Sequence, residues 1–498
     1  MNSIPESAAS ILSRPSPNLT VFCGPRMAPA PDDLDALQRI AGLPDVLRVA
    51  ALPDLHIKPH LETPSSTATA TSQVIILSLS SPSPGCGMAL ALTPLGVDDL
   101  SPARLQAFFA CLAEHLPLER SGSPSPATDF IRSVLLHGAA PAIERYELDP
   151  RSLAAIEVGG NALKWLDSHL DLGHPASKDH SAQVLAAIPN QFLPLAQREF
   201  GSIGRGNHFF ELQVVEELLD VRLAAHWGLQ AGQVAAMYHA DSGRLGALLG
   251  RWYAFRRKNT WRGRWLELRY KTAFHLSQAA SLHEVGSRAE YYFAPRRHTP
   301  LPAASPLAHQ ALLALWAATN YAFANRVAIL AALRDALRQV FSPLSADPHL
   351  LYDLTHNSIH PEQINAEWLW LHRHNANPAY PTGHPALLGG PFATTGQPLF
   401  LPGTHRTSAY ICVAGPNAAD SLYSVDHGAG SAALRLGKAL PAPALTTQLY
   451  DYHRGYIGEH SHLSDDGPQE VLASLNQAGL VRPVARLRPL AVLKDVFR

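Results

Sequence analysis

At 498 residues, 46% of them hydrophobic and 16% charged, the chain can bury a large core, which excludes a disordered or fibrous protein. Its formal charge of −1 excludes a molecule-wide field that gathers nucleic acid, so any such contact needs a local basic patch. The four cysteines, Cys23, Cys86, Cys111 and Cys412, form no CxxC pair, which excludes a disulfide framework or a zinc ribbon and points to a reducing, cytoplasmic setting.

Residues 1–30 are rich in Ser and Pro and are expected to be loosely ordered, without the basic flank and unbroken apolar run of a secretory signal. Residues 32–43 read as a helix capped by Asp32 or Asp33, with Leu34, Leu37 and Ile40 on one face and Pro44 as its stop. Residues 72–79 and 88–92 read as buried strands around a Ser/Pro turn, and residues 102–115 and 152–170 as helices. Beyond Gly201 come short strands at 209–215 and 234–239, punctuated by glycine.

Residues 244–271 set cations, among them Arg256, Arg257 and Lys258, between Trp252, Tyr253, Phe255, Trp261, Trp265 and Tyr270. Such a segment can track a phosphate backbone while stacking on bases, or it can be an amphipathic helix or hairpin whose aromatics are core. A Pro/Arg-rich loop is expected at 287–306, then a buried helix at 307–341. His309, Asn320, Asn325, Arg326 and Arg334 argue against a membrane span there. Short apolar runs at 399–401, 410–414 and 484–493 follow. With no internal repeat, the pattern predicts one α+β domain over residues 31–498, mixed sheets surrounded by helices, with 244–271 and 287–306 as insertions.

Five islands carry the chemistry-bearing residues, most of them beside glycine: 84–88 with Cys86, 204–211 with Asn207, His208 and Glu211, 237–239 with His239, 353–357 with His356 and Asn357, and 426–430 with His427. Glycine lets backbone approach a ligand, and thiolate, imidazole and carboxylate bind divalent metals. Taken singly, each has an ordinary structural reading, a satisfied histidine or a small buried thiol.

Their order is similar to that of the RtcB family of RNA ligases. Residues 201–211 (GSIGRGNHFFE) resemble that family's GTLGGGNHFxE. Residues 320–326 (NYAFANR) resemble NYAxANR, and 352–357 (YDLTHN) resemble YDxxHN. Residues 401–404 with Thr407 and Tyr410 follow IPGSMGTxSY, His427 to Gly430 match HGAG, and 485–490 with Lys494 follow ARLRPLGVVK. Upstream, Pro53-Asp54-Leu55-His56 resembles PDVH, and Gly85-Cys86-Gly87-Met88 resembles GCGM.

The resemblance implies an RtcB-like fold and a GTP- and manganese-dependent ligase. His427 carries GMP, and an RNA 3′-phosphate or 2′,3′-cyclic phosphate end is joined to a 5′-hydroxyl end. It implies Cys86, His208, His239 and His356 as ligands of one or two Mn2+ ions. Asn207, Glu211, Asn357, Thr404, Gly428, Ala429, Gly430 and Lys494 fall at its nucleotide site. Several positions depart from the pattern. Ser83 stands for the Asp of DxGCGM, and Asp241 for the first Gly of HSGSRG. Residues 372–379 lose a Lys and an Arg of HRKGATRA, and Ser431 replaces the Arg of HGAGR. These losses leave two further readings: an enzyme that caps 3′-phosphate ends without sealing them, and a weakened RNA- or nucleotide-binding paralogue.

Overall fold

From Val49 to Leu55 every residue of the strand Val46–His56 is buried, so it must be covered on both faces. In the computed structural model it lies inside a six-stranded sheet. The structure describes residues 12–496 apart from 59–60, 62, 117–124, 168–179, 255–260, 294–297, 345 and 442–444. This first sheet runs in the order Leu12–Ser16, Leu19–Phe22, Val46–His56, Ser65–Thr71, Glu367–His374, Asn357–Ile364. The second has the path His349–Thr355, Gly87–Gly96, Gln233–Ala240, Phe209–Leu218, Val481–Leu493, Ala409–Ala414, Pro398–Leu401, with the hairpin of Thr446–Asp451 and Gly455–Ser461 beside Val481–Leu493.

His356 is the single residue between the last-strand partners of the two sheets. It follows His349–Thr355 in the second and precedes Asn357–Ile364 in the first. Around the second sheet pack the helices Pro102–His115, Thr128–His137, Gly243–Tyr253 and the 35-residue Pro306–Val340, over a core that includes Phe108, Phe210, Tyr238, Trp316 and Tyr321. Its other face buries Met88, Leu90, Met237, Leu354 and Ile411. Among the described residues no helix is long and apolar enough to cross a membrane.

Several expectations change. Residues 12–22, expected to be loose, form two strands of the first sheet; residues 1–11 lie outside the described residues. The first helix is Pro31–Ala41, entered from Ala30 with Pro31 in its first turn, so Asp32 and Asp33 favour its N-terminal dipole without capping it. The strand predicted at 72–79 is only Val74–Ile75 followed by a 3₁₀ turn, and the long strand lies just upstream at Ser65–Thr71. Of the helix predicted at 152–170, the described part, to Asp167, is a chain of 3₁₀ turns. It is broken where Val158, Gly159 and Gly160 adopt φ of 48°, 61° and 71°, outside the right-handed region. The predicted loop at 287–306 begins as the end of the helix Leu282–Phe293.

The basic segment is Gly243–Tyr253 and Trp261–Gln278, both helical. Arg256, Arg257 and Lys258 lie outside the described residues. Its aromatics divide between the two readings: Trp252 and Tyr253 are core, whereas Trp265 and Tyr270 are more than half exposed, with Arg269 over the Trp265 ring.

Candidate active site at the junction of the two sheets

In an antiparallel sheet each end collects the start of one strand and the finish of the next. At one end of the second sheet this gathers four of the islands. Cys86 precedes Gly87–Gly96, His208 precedes Phe209–Leu218, His239 is next to last in Gln233–Ala240, and His356 follows His349–Thr355. Register keeps them level, with Gly87 opposite both Ala240 and Thr355, and Phe209 opposite His239. The His356 amide donates to the Cys86 carbonyl at 2.9 Å.

The side chains converge. Cys86 Sγ lies 3.2 Å from His239 Nε2 and 3.4 Å from His208 Nε2, and His239 Nε2 lies 3.3 Å from His356 Nε2. All four residues are buried. The donor atoms of Cys86, His208 and His239 fall within 4.8 Å of one another, a spread that a divalent ion with bonds of about 2.0–2.3 Å can span. A thiol with imidazoles suits a borderline divalent cation, so the residues present fit such an ion.

Burial pushes the Cys86 thiol well above its ordinary value, with the Asp241 charge adding. Burial also pushes His239 and His356 well below theirs, with neighbouring histidines adding. The imidazoles are therefore neutral, the form that binds metal, and a cation here would draw the proton from the thiol.

His427 joins the cluster from the other sheet's side. It follows the short strand Ser424–Asp426, which pairs with Ala376–Pro378, and the Ala376 amide donates to His356 O at 3.0 Å. The His427 ring centroid is 4.6 Å from that of His356 and 6.4 Å from that of His239. Burial, with Lys58 and His56 adding, pushes its imidazole down to about 3, so it is unprotonated and nucleophilic at neutral pH. Its Nδ1 has no hydrogen-bond partner among the described residues. Thus residues 86 and 427, 341 positions apart by their numbers (427 − 86), share one site.

Residues outside the expected set build its frame. Asp54 Oδ1 and Oδ2 accept from Ala432 N (2.7 Å) and Ser431 N (3.2 Å), capping the turn after His427, while its own amide donates to Asp426 Oδ1. Arg326 lies fully buried, paired with Asp353 at 2.7 Å, and donates to the carbonyls of Gly85 (2.9 Å) and Ala240 (3.0 Å), beside Cys86 and His239. Asn325 holds Gly201 N and Ser202 O, and Tyr321 donates to Ala196 O. The 320–326 motif therefore bolts the long helix to the loops that bear the ligands. Sequence offered a signal for each: Asp54 and Arg326 both sit inside quoted motifs, and a charged residue within an apolar run implies a buried partner.

Residues 36–495 match the family model described as tRNA-splicing ligase RtcB. The chain belongs to the RtcB family. It is 29% identical over 312 residues to the tRNA-splicing ligase RtcB of Aeropyrum pernix, covering 59% of each chain. To the RNA-splicing ligase RtcB of Mycobacterium tuberculosis it is 30% identical over 323 residues, 62% of this chain and 68% of that protein. To the tRNA-splicing ligase RtcB of Methanopyrus kandleri it is 26% identical over 434 residues, 81% of this chain and 40% of that protein.

The residues that the RtcB resemblance assigns to nucleotide are spread more widely. Asn207 is exposed in the turn before His208. Glu211 is buried and pushed up to about 7 by that burial, against the opposing effects of Gln213, which donates to it, and of the Lys494 charge. Lys494 follows Val481–Leu493, whose Leu493 pairs with Phe210, so it sits at the same sheet end. The Thr404 amide donates to Thr407 Oγ1 at 2.8 Å, within the loop whose Pro402 carbonyl takes the Ala429 amide at 2.7 Å. That bond commits the Ala429 N–H to the loop. Asn357 is buried, and its Oδ1 accepts from Asn375 N, which shapes the turn between Glu367–His374 and Ala376–Pro378.

Proposed function

We propose that this protein is an RNA ligase that uses GTP and divalent manganese to join an RNA 3′-phosphate or 2′,3′-cyclic phosphate end to a 5′-hydroxyl end. The observation that carries the reading is the His427 imidazole, neutral and with its ring centroid 4.6 Å from that of His356 at the edge of the thiol–imidazole cluster. A nucleophile with no metal nearby, or a metal site with no nucleophile, would support a different enzyme.

Cys86, His208, His239 and His356 would hold the ion, which supplies neutralisation of phosphate charge. His427 attacks the α-phosphorus of GTP; an N–P bond forms, the bond to the β-phosphate oxygen breaks and pyrophosphate leaves. The RNA 3′-phosphate oxygen then attacks the same phosphorus, the N–P bond breaks, and the imidazole recovers its lone pair. Finally the 5′-hydroxyl oxygen attacks the RNA 3′-phosphorus, its proton passes to solvent, and GMP departs. Lys58, whose charge is felt at both Cys86 and His427, and Lys494 are the cations best situated to neutralise phosphate oxygens where the family's other Lys and Arg are missing. Asn207, Thr404 and the Gly428 and Gly430 backbone line the nucleotide.

The test is end-joining of a 3′-phosphate RNA to a 5′-hydroxyl RNA with GTP and Mn2+. Joined product from the wild type, lost by at least about a thousandfold in His427→Ala, is expected for removal of a covalent nucleophile. A guanylylated 3′ end without joined product would favour the capping reading. Neither product under any divalent ion would reject ligation.

A further inference from the structure

A carboxylate adjoins the cluster at His208. Asp241 Oδ2 lies 3.9 Å from His208 Nε2, which is itself 3.4 Å from Cys86 Sγ. Its Oδ1 is fixed by the Gly243 amide at 2.7 Å, and its Oδ2 takes a hydrogen bond from Ser83 Oγ. The Asp241 backbone is held as well, its carbonyl accepting from Asn325 at 3.3 Å. Among the described residues no Lys or Arg lies within ion-pair distance of this side chain, which is only 14% exposed. A mostly buried carboxylate beside a thiol and an imidazole, held by two hydrogen bonds but by no cation among the described residues, suits a metal ligand.

The cluster therefore has two halves that share one sulfur. On one side are Cys86, His239 and His356; on the other are Cys86, His208 and Asp241. The Cys86–His239 and His239–His356 edges of 3.2 and 3.3 Å on the first side, and the Cys86–His208 and His208–Asp241 edges of 3.4 and 3.9 Å on the second, are near the roughly 3–3.6 Å that metal bonds of about 2.0–2.3 Å impose on neighbouring ligands.

We infer that Asp241 is the carboxylate ligand of a second divalent cation, held with Cys86 and His208, and that Ser83 orients it through its hydroxyl. This rests on the proposed reading that the cluster holds metal, and it assigns a ligand the family pattern does not. The pattern has an acid at position 83 and glycine at 241; this chain has Ser83 and Asp241, 158 residues apart yet in hydrogen-bond contact. The carboxylate has changed sides of the same ion. A hard oxygen donor on this half also separates the two sites chemically, the His239–His356 half being the softer.

The test is Co2+ titration of chelator-stripped full-length protein, read by absorption (the thiolate-to-cobalt charge-transfer band and the d–d bands) and by equilibrium dialysis. The wild type should bind two Co2+ per chain. Asp241→Asn, which keeps an oxygen for the Gly243 amide, should bind one and retain the thiolate band. Affinity for the lost ion should fall by more than the roughly 10–100-fold that an outer partner contributes. His356→Ala should weaken the other site, and the double exchange Ser83→Asp with Asp241→Gly should restore two ions. Matching metal-free melting curves for Asp241→Asn and wild type establish that folding is intact; should Asp241→Asn not fold, the double exchange carries the test alone. Two ions with unchanged affinity in Asp241→Asn, a wild type that binds only one, or a double exchange that binds only one, would overturn the inference. A wild type that binds none would instead reject the metal reading itself.

Discussion

At the scale of single residues, burial decides protonation, and His372 gives the cleanest case. Its Nε2 accepts from Ile76 N at 3.0 Å and its Nδ1 faces Thr69 O at 3.2 Å, so both nitrogens are used by the neutral ring with the proton on Nδ1. Burial pushes it down to about 4. The unfolded chain binds a proton below about pH 6.5 and the folded chain does not until about 4, so acid favours unfolding. The stability loss starts as pH falls through 6.5 and levels off below 4, on the order of 3 kcal/mol for this residue. Urea unfolding midpoints measured from pH 7 to pH 4.5 should therefore fall less steeply in His372→Gln than in wild type. Parallel slopes would contradict the assignment. The same physics applies to His275, pushed to about 3 by burial with Lys271 and Arg288 nearby.

Residue types were the most legible level of the sequence. Cys86, His208, His239, His356 and His427 stand out because thiol and imidazole are costly choices for a core that packing alone would fill with aliphatics. Partnerships were not legible. Nothing local in Asn357 says that its oxygen is spent on the Asn375 backbone, and nothing in Asp54 says that it caps a turn 377 residues downstream. Such contacts exist only once separate strands and turns have packed together.

At the scale of elements, periodicity worked where the period was carried by large apolar residues. The helix at Pro102–His115 and the long helix at Pro306–Val340 follow from it, as do the strands Gly87–Gly96, Phe209–Leu218 and Gln233–Ala240 of the second sheet. It failed at Ser65–Thr71, a buried strand made only of Ser, Thr and Ala, whose small side chains pack without signalling hydrophobicity. It also failed at Pro150–Asp167. There the helical spacing of apolar residues is real, but the left-handed φ at Val158, Gly159 and Gly160 breaks the run into 3₁₀ turns.

The element that holds the site together is the long helix, through Arg326. With its guanidinium buried against Asp353 and two strand-end carbonyls, Arg326→Met should cost roughly 3–5 kcal/mol by urea unfolding, because Asp353 is left as an unpaired buried charge. Arg326→Met combined with Asp353→Leu should cost less than the sum of the two single changes, the mark of a coupled pair. Additive losses would mean that Arg326 acts only through the carbonyls.

At the scale of the whole molecule, the fold explains why the islands are so far apart in sequence. An antiparallel sheet returns to the same edge only once every two strands, so a ligand set built at one edge must draw on many strands. His427 is brought to it by the two-stranded ladder of Ser424–Asp426 and Ala376–Pro378, which packs on the first sheet, and at His356 the chain passes directly from a strand of the second sheet to one of the first. The basic helical segment begins at Gly243, directly after His239 and Asp241 in the chain, and further along it Trp265 and Tyr270 are exposed.

The most direct measurement is mass spectrometry of the intact protein and its peptides after incubation with GTP and Mn2+. One GMP adduct is expected, acid-labile as a phosphoramidate, on the peptide containing His427, absent when Mn2+ is omitted and absent in His427→Ala. An unmodified protein, or an adduct that persists in His427→Ala, would contradict the assignment of His427 as nucleophile.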